Sequence, residues 1–137
     1  MCFAPILLLG YLFTLHPNAA HVTDFETPYV QAMTCDRGPG LDLKASPNIG
    51  TLQAQYGIPV YDEGPWSLSL IPKAGGAMLA EHVPESQSRM NFALSLHVLA
   101  RYEAVHLGLE YLHESNAHLG DRNAGMDFVG TAVGFSF

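Results

Sequence analysis

The chain has 137 residues, of which 48% are hydrophobic and only 14% are charged, against about 25% charged in an ordinary soluble domain. This length allows one domain, and the low charge argues against disorder and against a solvated helical bundle. Six Lys and Arg residues against thirteen Asp and Glu residues give a net charge of −7 without a basic cluster, so the chain is a poor candidate for binding nucleic acid.

The first predicted element is an apolar block at residues 3–15, with the sequence FAPILLLGYLFTL. It has the length of the hydrophobic region of a signal peptide and is too short for a membrane-spanning helix. Ala19 and Ala20 offer a cleavage site, so residues 1–20 are predicted to be a signal peptide and residues 21–137 the barrel domain. No Lys or Arg precedes Arg37, unlike in a usual signal peptide, and the alternative is that the block is a strand or helix of the fold.

The rest of the chain alternates apolar and polar residues with a period of two, which predicts β-strands with one apolar face. A weaker candidate strand is Tyr29–Cys35. The clear predicted strands are Thr51–Val60, Trp66 to about Ala80, Met90–Arg101, Val105–Ser115 and Asp127–Phe137.

The predicted connections alternate between long loops, at residues 36–50, 81–89 and 116–126, and short turns, at 61–65 and 101–104. This rhythm, with strands of about ten residues, is typical of an outer-membrane barrel. The predicted fold is therefore an all-β, antiparallel, up-and-down barrel. About six strands are visible, whereas bacterial single-chain barrels usually have at least eight. Two more strands have to come from roughly the first 28 residues, or are absent.

The alternation of apolar and polar faces does not decide between a membrane barrel and a soluble barrel. A membrane barrel turns its apolar face outward, whereas a soluble barrel turns it inward. The C-terminal Phe135 and Phe137 favour the outer membrane, since they resemble the terminal signal of inserted barrels. In a membrane barrel the polar face points inward, so His97 and His106 are predicted to form hydrogen bonds inside the lumen. The residues predicted to face lipid include Val105, Leu107, Leu109, Val133 and Phe135.

Three polar residues interrupt the predicted apolar face near one hairpin. His113 and Ser115 are two positions apart on one strand and project from the same face. Asp127 has the parity of the apolar face of the next strand, and the hairpin brings it beside His113. A serine becomes nucleophilic when a histidine takes its proton and a carboxylate orients that histidine. A polar cap at the membrane boundary is the alternative interpretation.

The segment His113–Phe137 resembles the C-terminal end of the lipid A 3-O-deacylases of Gram-negative outer membranes. Their eight-stranded barrel carries a His-x-Ser-Asn motif followed by an Asn-x-Gly-x-acid motif. The resemblance implies that His113 is the general base, Ser115 the nucleophile and Asp127 the third triad member. It further implies that Asn123, with Asn116, binds the oxyanion or substrate. Two features depart from the family: Asp127 stands where glutamate is usual, and the chain is short by about two N-terminal strands.

The leading functional hypothesis is an outer-membrane serine esterase that removes an ester-linked acyl chain of lipid A, at the 3-O position by resemblance. Its partner is lipopolysaccharide in the outer membrane, and it requires no metal or other cofactor because the nucleophile is a side chain. One alternative is a non-catalytic outer-membrane barrel with a structural or adhesion role. Another is a soluble lipid-binding barrel. The oligomeric state, with a homodimer as one option, is left open.

Overall fold

A computed structural model describes residues 4–15, 26–81, 89–115 and 125–137, which form a closed antiparallel barrel of eight strands. The strands are β1 (Ile6–Leu15), β2 (Glu26–Met33), β3 (Gly38–Ala45), β4 (Ile49–Glu63), β5 (Trp66–Leu79), β6 (Met90–Tyr102), β7 (Val105–Ser115) and β8 (Met126–Ser136). Each strand pairs with the next in sequence, and β1 pairs with β8 to close the barrel. No helix in the described ranges could cross a membrane. The predicted up-and-down barrel is confirmed.

The apolar block at the N-terminus forms the strand that closes the barrel. β1 pairs with β8 over ten residues, from Ile6 opposite Ser136 to Leu15 opposite Asp127. Cleavage after residue 20 would remove β1 and expose the edges of β2 and β8, which is costly in a membrane because backbone groups there must be paired. The structure therefore agrees with the alternative of a strand for residues 6–15, while the signal peptide at residues 1–20 stays a prediction. Ala19 and Ala20 lie outside the described residues.

The long loop predicted at residues 36–50 is wrong, because this stretch contains β3. Leu41 and Leu43 face outward from β3, while Asp42 and Lys44 are fully buried in the lumen. With β1, this strand completes the barrel of eight, so the expectation that the chain is short by two strands is also wrong. The bounds of the other six predicted strands agree with the structure to within a few residues.

The two ends of the barrel differ in their connections. One end, here called the turn end, has two-residue turns at 64–65 and 103–104 and a four-residue connection at 34–37. The other end, here called the loop end, has connections at 16–25, 80–89 and 116–125, and a shorter one at 46–48. The alternation of short and long connections is thus confirmed apart from the connections that flank β3.

The apolar faces of the strands point outward and the polar faces point into the lumen. The outward residues predicted to face lipid, Val105, Leu107, Leu109, Val133 and Phe135, are all exposed on the outer wall. The polar residues of the opposite faces, such as Gln53, Ser95 and Glu110, are buried. This is the sense expected for a membrane barrel and the reverse of a soluble one, so a soluble lipid-binding barrel is excluded.

Paired charges fill the middle of the lumen. Lys44 Nζ lies 3.0 Å from Glu110 Oε2, and Lys73 Nζ lies 3.2 Å from Asp42 Oδ2. The two cations thus balance the two carboxylates, as buried charges require. Lys73 also donates to His97 Nδ1 at 2.9 Å, so the predicted lumenal hydrogen bond of His97 is confirmed. His106 is equally buried, but neither of its ring nitrogens has a hydrogen-bond partner in the described ranges, so its predicted bond is not found.

The outward sense of the apolar face predicts a strong effect of charge at mid-strand. Leu109 lies near the centre of β7 and is 54% exposed on the outer wall. Leu109→Arg should destabilise the barrel by about 2–4 kcal/mol, the cost of Arg on the lipid face at the bilayer midplane. Urea unfolding in lipid vesicles measures this change, with Leu109→Met as the matched apolar control. Equal stability of the two variants would contradict the assignment of this face to lipid.

Candidate active site

The site begins with a direct cross-strand pair on the outer wall near the loop end. His113 on β7 lies opposite Asp127 on β8 in the strand register. The His113 Nδ1 atom is 2.8 Å from Asp127 Oδ1, which is a hydrogen bond of ordinary length. The pair forms because antiparallel strands place opposite residues about 4.5–5.5 Å apart on the same face. An aspartate at this position is therefore long enough to reach the histidine.

Asp127 is nearly buried although its parity points it outward. Its side chain is only 12% exposed, whereas that of His113 is 39% exposed. The Tyr111 hydroxyl donates a hydrogen bond to the same Oδ1 atom that contacts His113. Hydrogen bonds offset the cost of withdrawing a carboxylate from water. Tyr111, His113 and Asp127 thus form one connected polar unit on an otherwise apolar wall.

Ser115 lies on the same outward face as His113, two residues nearer the loop end. It is half-buried and stands opposite Phe92 of β6. Two residues along a strand are about 7 Å apart. Asp127 occupies Nδ1 of His113, so the other ring nitrogen, Nε2, is the one available for proton exchange. If Asp127 accepts the Nδ1 proton, Nε2 is the basic nitrogen.

Gly125 provides the space that the imidazole needs. Its φ is +72°, in the left-handed region that favours glycine. A Cβ atom there would lie 2.8 Å from the Glu114 carbonyl oxygen and 3.1 Å from Cε1 of His113. A side chain at this position would push against the backbone and the ring at once. The glycine therefore allows β8 to begin directly beside His113.

The sequence analysis named Asn116 and Asn123 as oxyanion or substrate-binding residues, and both lie outside the described residues. In the strands and short connections that are described, no three His, Cys, Asp or Glu residues converge as metal ligands. The role of Tyr111 was missed, because a tyrosine on an apolar face reads as a lipid-facing residue. Its position two residues before His113, in the series 111, 113, 115, was the available signal.

Comparisons with known proteins agree with this fold. The family model described as "Lipid A 3-O-deacylase (PagL)" matches residues 50–136. The crystal structure of the outer membrane enzyme PagL is similar to this chain, with a TM-score of 0.62 and 11% sequence identity. The similarity covers 93% of this chain and 98% of that one. A search of curated proteins gave no match.

Proposed function

Since the chain belongs to the lipid A 3-O-deacylase (PagL) family, we propose that it is a serine esterase that hydrolyses an ester-linked acyl chain of lipid A, at the 3-O position. Its barrel lies in the outer membrane, where this substrate is found. The observation that carries the proposal is the His113–Asp127 hydrogen bond, with Ser115 next on the same lipid-facing wall. A triad on this wall meets a membrane lipid without drawing the lipid into the lumen.

The proposed reaction has two halves. Ser115 Oγ attacks the ester carbonyl carbon while His113 Nε2 takes its proton, and Asp127 stabilises the imidazolium that forms. Asn123 and Asn116 are proposed to donate hydrogen bonds to the developing oxyanion. Collapse breaks the bond to the sugar oxygen, which leaves with the proton from His113. Water activated by His113 then hydrolyses the acyl-serine, releases the fatty acid and restores Ser115.

The two departures from the family, an apparent lack of two strands and Asp127 in place of glutamate, favoured a non-catalytic barrel. Neither departure supports that alternative now. The chain has the family's eight strands, and Asp127 reaches His113 despite its short side chain. A homodimer stays a prediction, which sedimentation in detergent can test.

Mass spectrometry of lipid A tests the proposed function. Lipid A from cells that express the protein should lack the mass of one hydroxyacyl group relative to lipid A from cells without it. The purified barrel should release the corresponding free fatty acid from lipopolysaccharide. An unchanged lipid A mass, together with no released fatty acid, would contradict the proposal and favour the structural barrel.

Tyr111→Phe should lower kcat about tenfold and leave KM nearly unchanged. The change removes only the hydroxyl that holds Asp127, and a hydrogen bond to a charged group contributes about 1.5–3 kcal/mol, part of which here orients the carboxylate. Steady-state kinetics on lipid A measure the effect, with Tyr102→Phe, at an exposed tyrosine at the turn end of β6, as the control. In an Asp127→Asn background Tyr111→Phe should have little further effect. Full additivity of the two changes would show that Tyr111 does not act through Asp127.

A further inference from the structure

The outer wall carries an apolar groove along β5, two strands away from Ser115. The outward residues Pro72, Ala74 and Gly76 of β5 are small or compact, and Met78 follows them at the loop end. Larger outward side chains stand on β4 and β6, and Leu43 of β3 borders the depression nearest the loop end. Two depressions, of about 450 and 470 Å³, follow one another along this strip. The floor residues are Pro72, Ala74 and Gly76, and the larger wall residues include Leu52, Tyr56, Met90 and Leu94.

The length of the groove suits an extended hydrocarbon chain. Gly76 and Pro72 are four residues apart, which is about 13 Å along a strand. This is roughly half of the apolar height of an outer-membrane barrel, about 25 Å, and so roughly the depth of one leaflet. The groove starts near the loop end, at the same level as the polar unit of Tyr111, His113 and Asp127, and continues toward mid-barrel.

The strand register ties the groove to the proposed catalytic residues. Gly76 lies opposite Phe92, and Phe92 lies opposite Ser115. Ala74 lies opposite Leu94, which in turn lies opposite His113. Because neighbouring strands are about 4.8 Å apart, the floor of the groove is about 10 Å from the positions of Ser115 and His113 around the wall. The β6 side chains Phe92 and Leu94 separate the two.

We propose that this groove binds a second acyl chain of the same lipid A molecule, one that is not hydrolysed. The inference rests on the proposed function. Lipid A carries several acyl chains on one headgroup, so a molecule whose ester is at Ser115 places its other chains along the adjacent wall. A chain seated in the groove fixes the headgroup relative to Ser115 and selects the ester that is presented. Binding at such a remote site favours the reaction by orienting the reacting group.

Gly76→Leu tests the groove without straining the barrel. A Cβ atom at Gly76 comes no nearer than 3.8 Å to another group, the Asn91 carbonyl oxygen, so a leucine is accommodated and its side chain fills the groove. The matched control is Ala32→Leu, at an outward and exposed residue of β2 that does not line the groove. Both substitutions add an apolar side chain to the lipid-facing wall, and only one of them occupies the groove.

The first measurement is the ratio of kcat/KM for lipid A to kcat/KM for a short single-chain ester, which has no second chain to bind. Gly76→Leu should lower this ratio about tenfold, since a change of one methylene in an apolar pocket already alters discrimination about 10–200-fold. Ala32→Leu should leave the ratio unchanged. An unchanged ratio in Gly76→Leu, or an equal fall in both variants, would overturn the proposal.

The second measurement separates this inference from the proposed function. Native mass spectrometry of the Ser115→Ala barrel gives the affinity for intact lipid A without any turnover. Adding Gly76→Leu should weaken lipid A binding about tenfold and should leave phosphatidylethanolamine binding unchanged. If Gly76→Leu weakened the binding of both lipids to the same extent, the groove would be a site for bulk lipid, and the proposal would be overturned. A wild-type barrel that hydrolyses neither ester contradicts the proposed function, while the binding result still decides the groove.

Discussion

Replacing Ser115 with alanine should abolish the release of acyl chains from lipid A while leaving the barrel folded. The substitution removes one oxygen atom from a half-buried residue at the end of β7, where it supports no lumenal packing. Without the nucleophile no acyl-serine can form. In the serine protease subtilisin, loss of the nucleophile lowers kcat by about 2 × 10⁶-fold, and an effect of this order is expected here. Fatty-acid release and heat-resistant migration in detergent measure the two outcomes.

His113→Ala should be as severe as Ser115→Ala, because an unassisted serine hydroxyl is not ionised near neutral pH. The double variant should resemble either single variant, since residues that act as a unit are not additive. Ser136→Ala, the same chemical change at the turn end of β8, and His106→Gln, at a lumenal histidine, are the controls and should keep most of the turnover. Substantial activity in Ser115→Ala would end the serine-esterase interpretation and leave the barrel fold intact.

Most of the strands that the sequence revealed have inward residues that are polar or small. In β4, Gln53 and Gln55 alternate with Leu52 and Ala54, so the period of two is visible. β1 hides this period because its inward residues, among them Leu8 and Leu12, are as apolar as its outward ones. They pack in the apolar clusters within the barrel, which only the closed structure defines.

β3 was hidden for the opposite reason. Its inward positions carry Asp42 and Lys44, and it begins with Gly38, Pro39 and Gly40, so it has the composition of a loop. The charges are tolerated because Lys73 and Glu110, from distant strands, complete a neutral cluster with them. Such partners lie up to 66 positions further along the chain, and because the closure of the barrel brings them together, they cannot be predicted from the local sequence pattern.

The candidate site was easier to predict from the sequence than β3, because the parity of the residues and one hairpin suffice to bring His113 and Asp127 to the same face. The hydrogen bond from Tyr111 could not be predicted from the sequence, since it depends on the rotation of an aromatic side chain over the neighbouring strand. The near burial of Asp127 could not be predicted either, because it follows from the contacts with Tyr111 and His113. The sequence therefore predicted the positions of the two residues, and the structure adds the contacts between them.

Asp127→Asn should reduce lipid A hydrolysis by about 10⁴-fold, the loss caused by the equivalent change in a chymotrypsin-type serine protease. The amide keeps the size of the carboxylate but loses the charge that stabilises the imidazolium, and its NH₂ group favours the wrong histidine tautomer. Steady-state kinetics on lipid A measure the loss, with folding checked as for Ser115→Ala.

Asp127→Glu separates the charge of this residue from its length. Glutamate keeps the negative charge but is one methylene longer, and Asp127 Oδ1 already lies 2.8 Å from His113 Nδ1. Asp127→Glu should therefore lose much less activity than Asp127→Asn, with a loss that reflects only the displaced carboxylate. If Asp127→Asn retained full activity, Asp127 would be a polar contact of the outer wall and not part of a triad. If both variants lost activity equally, the exact position of the carboxylate, more than its charge, would determine the rate.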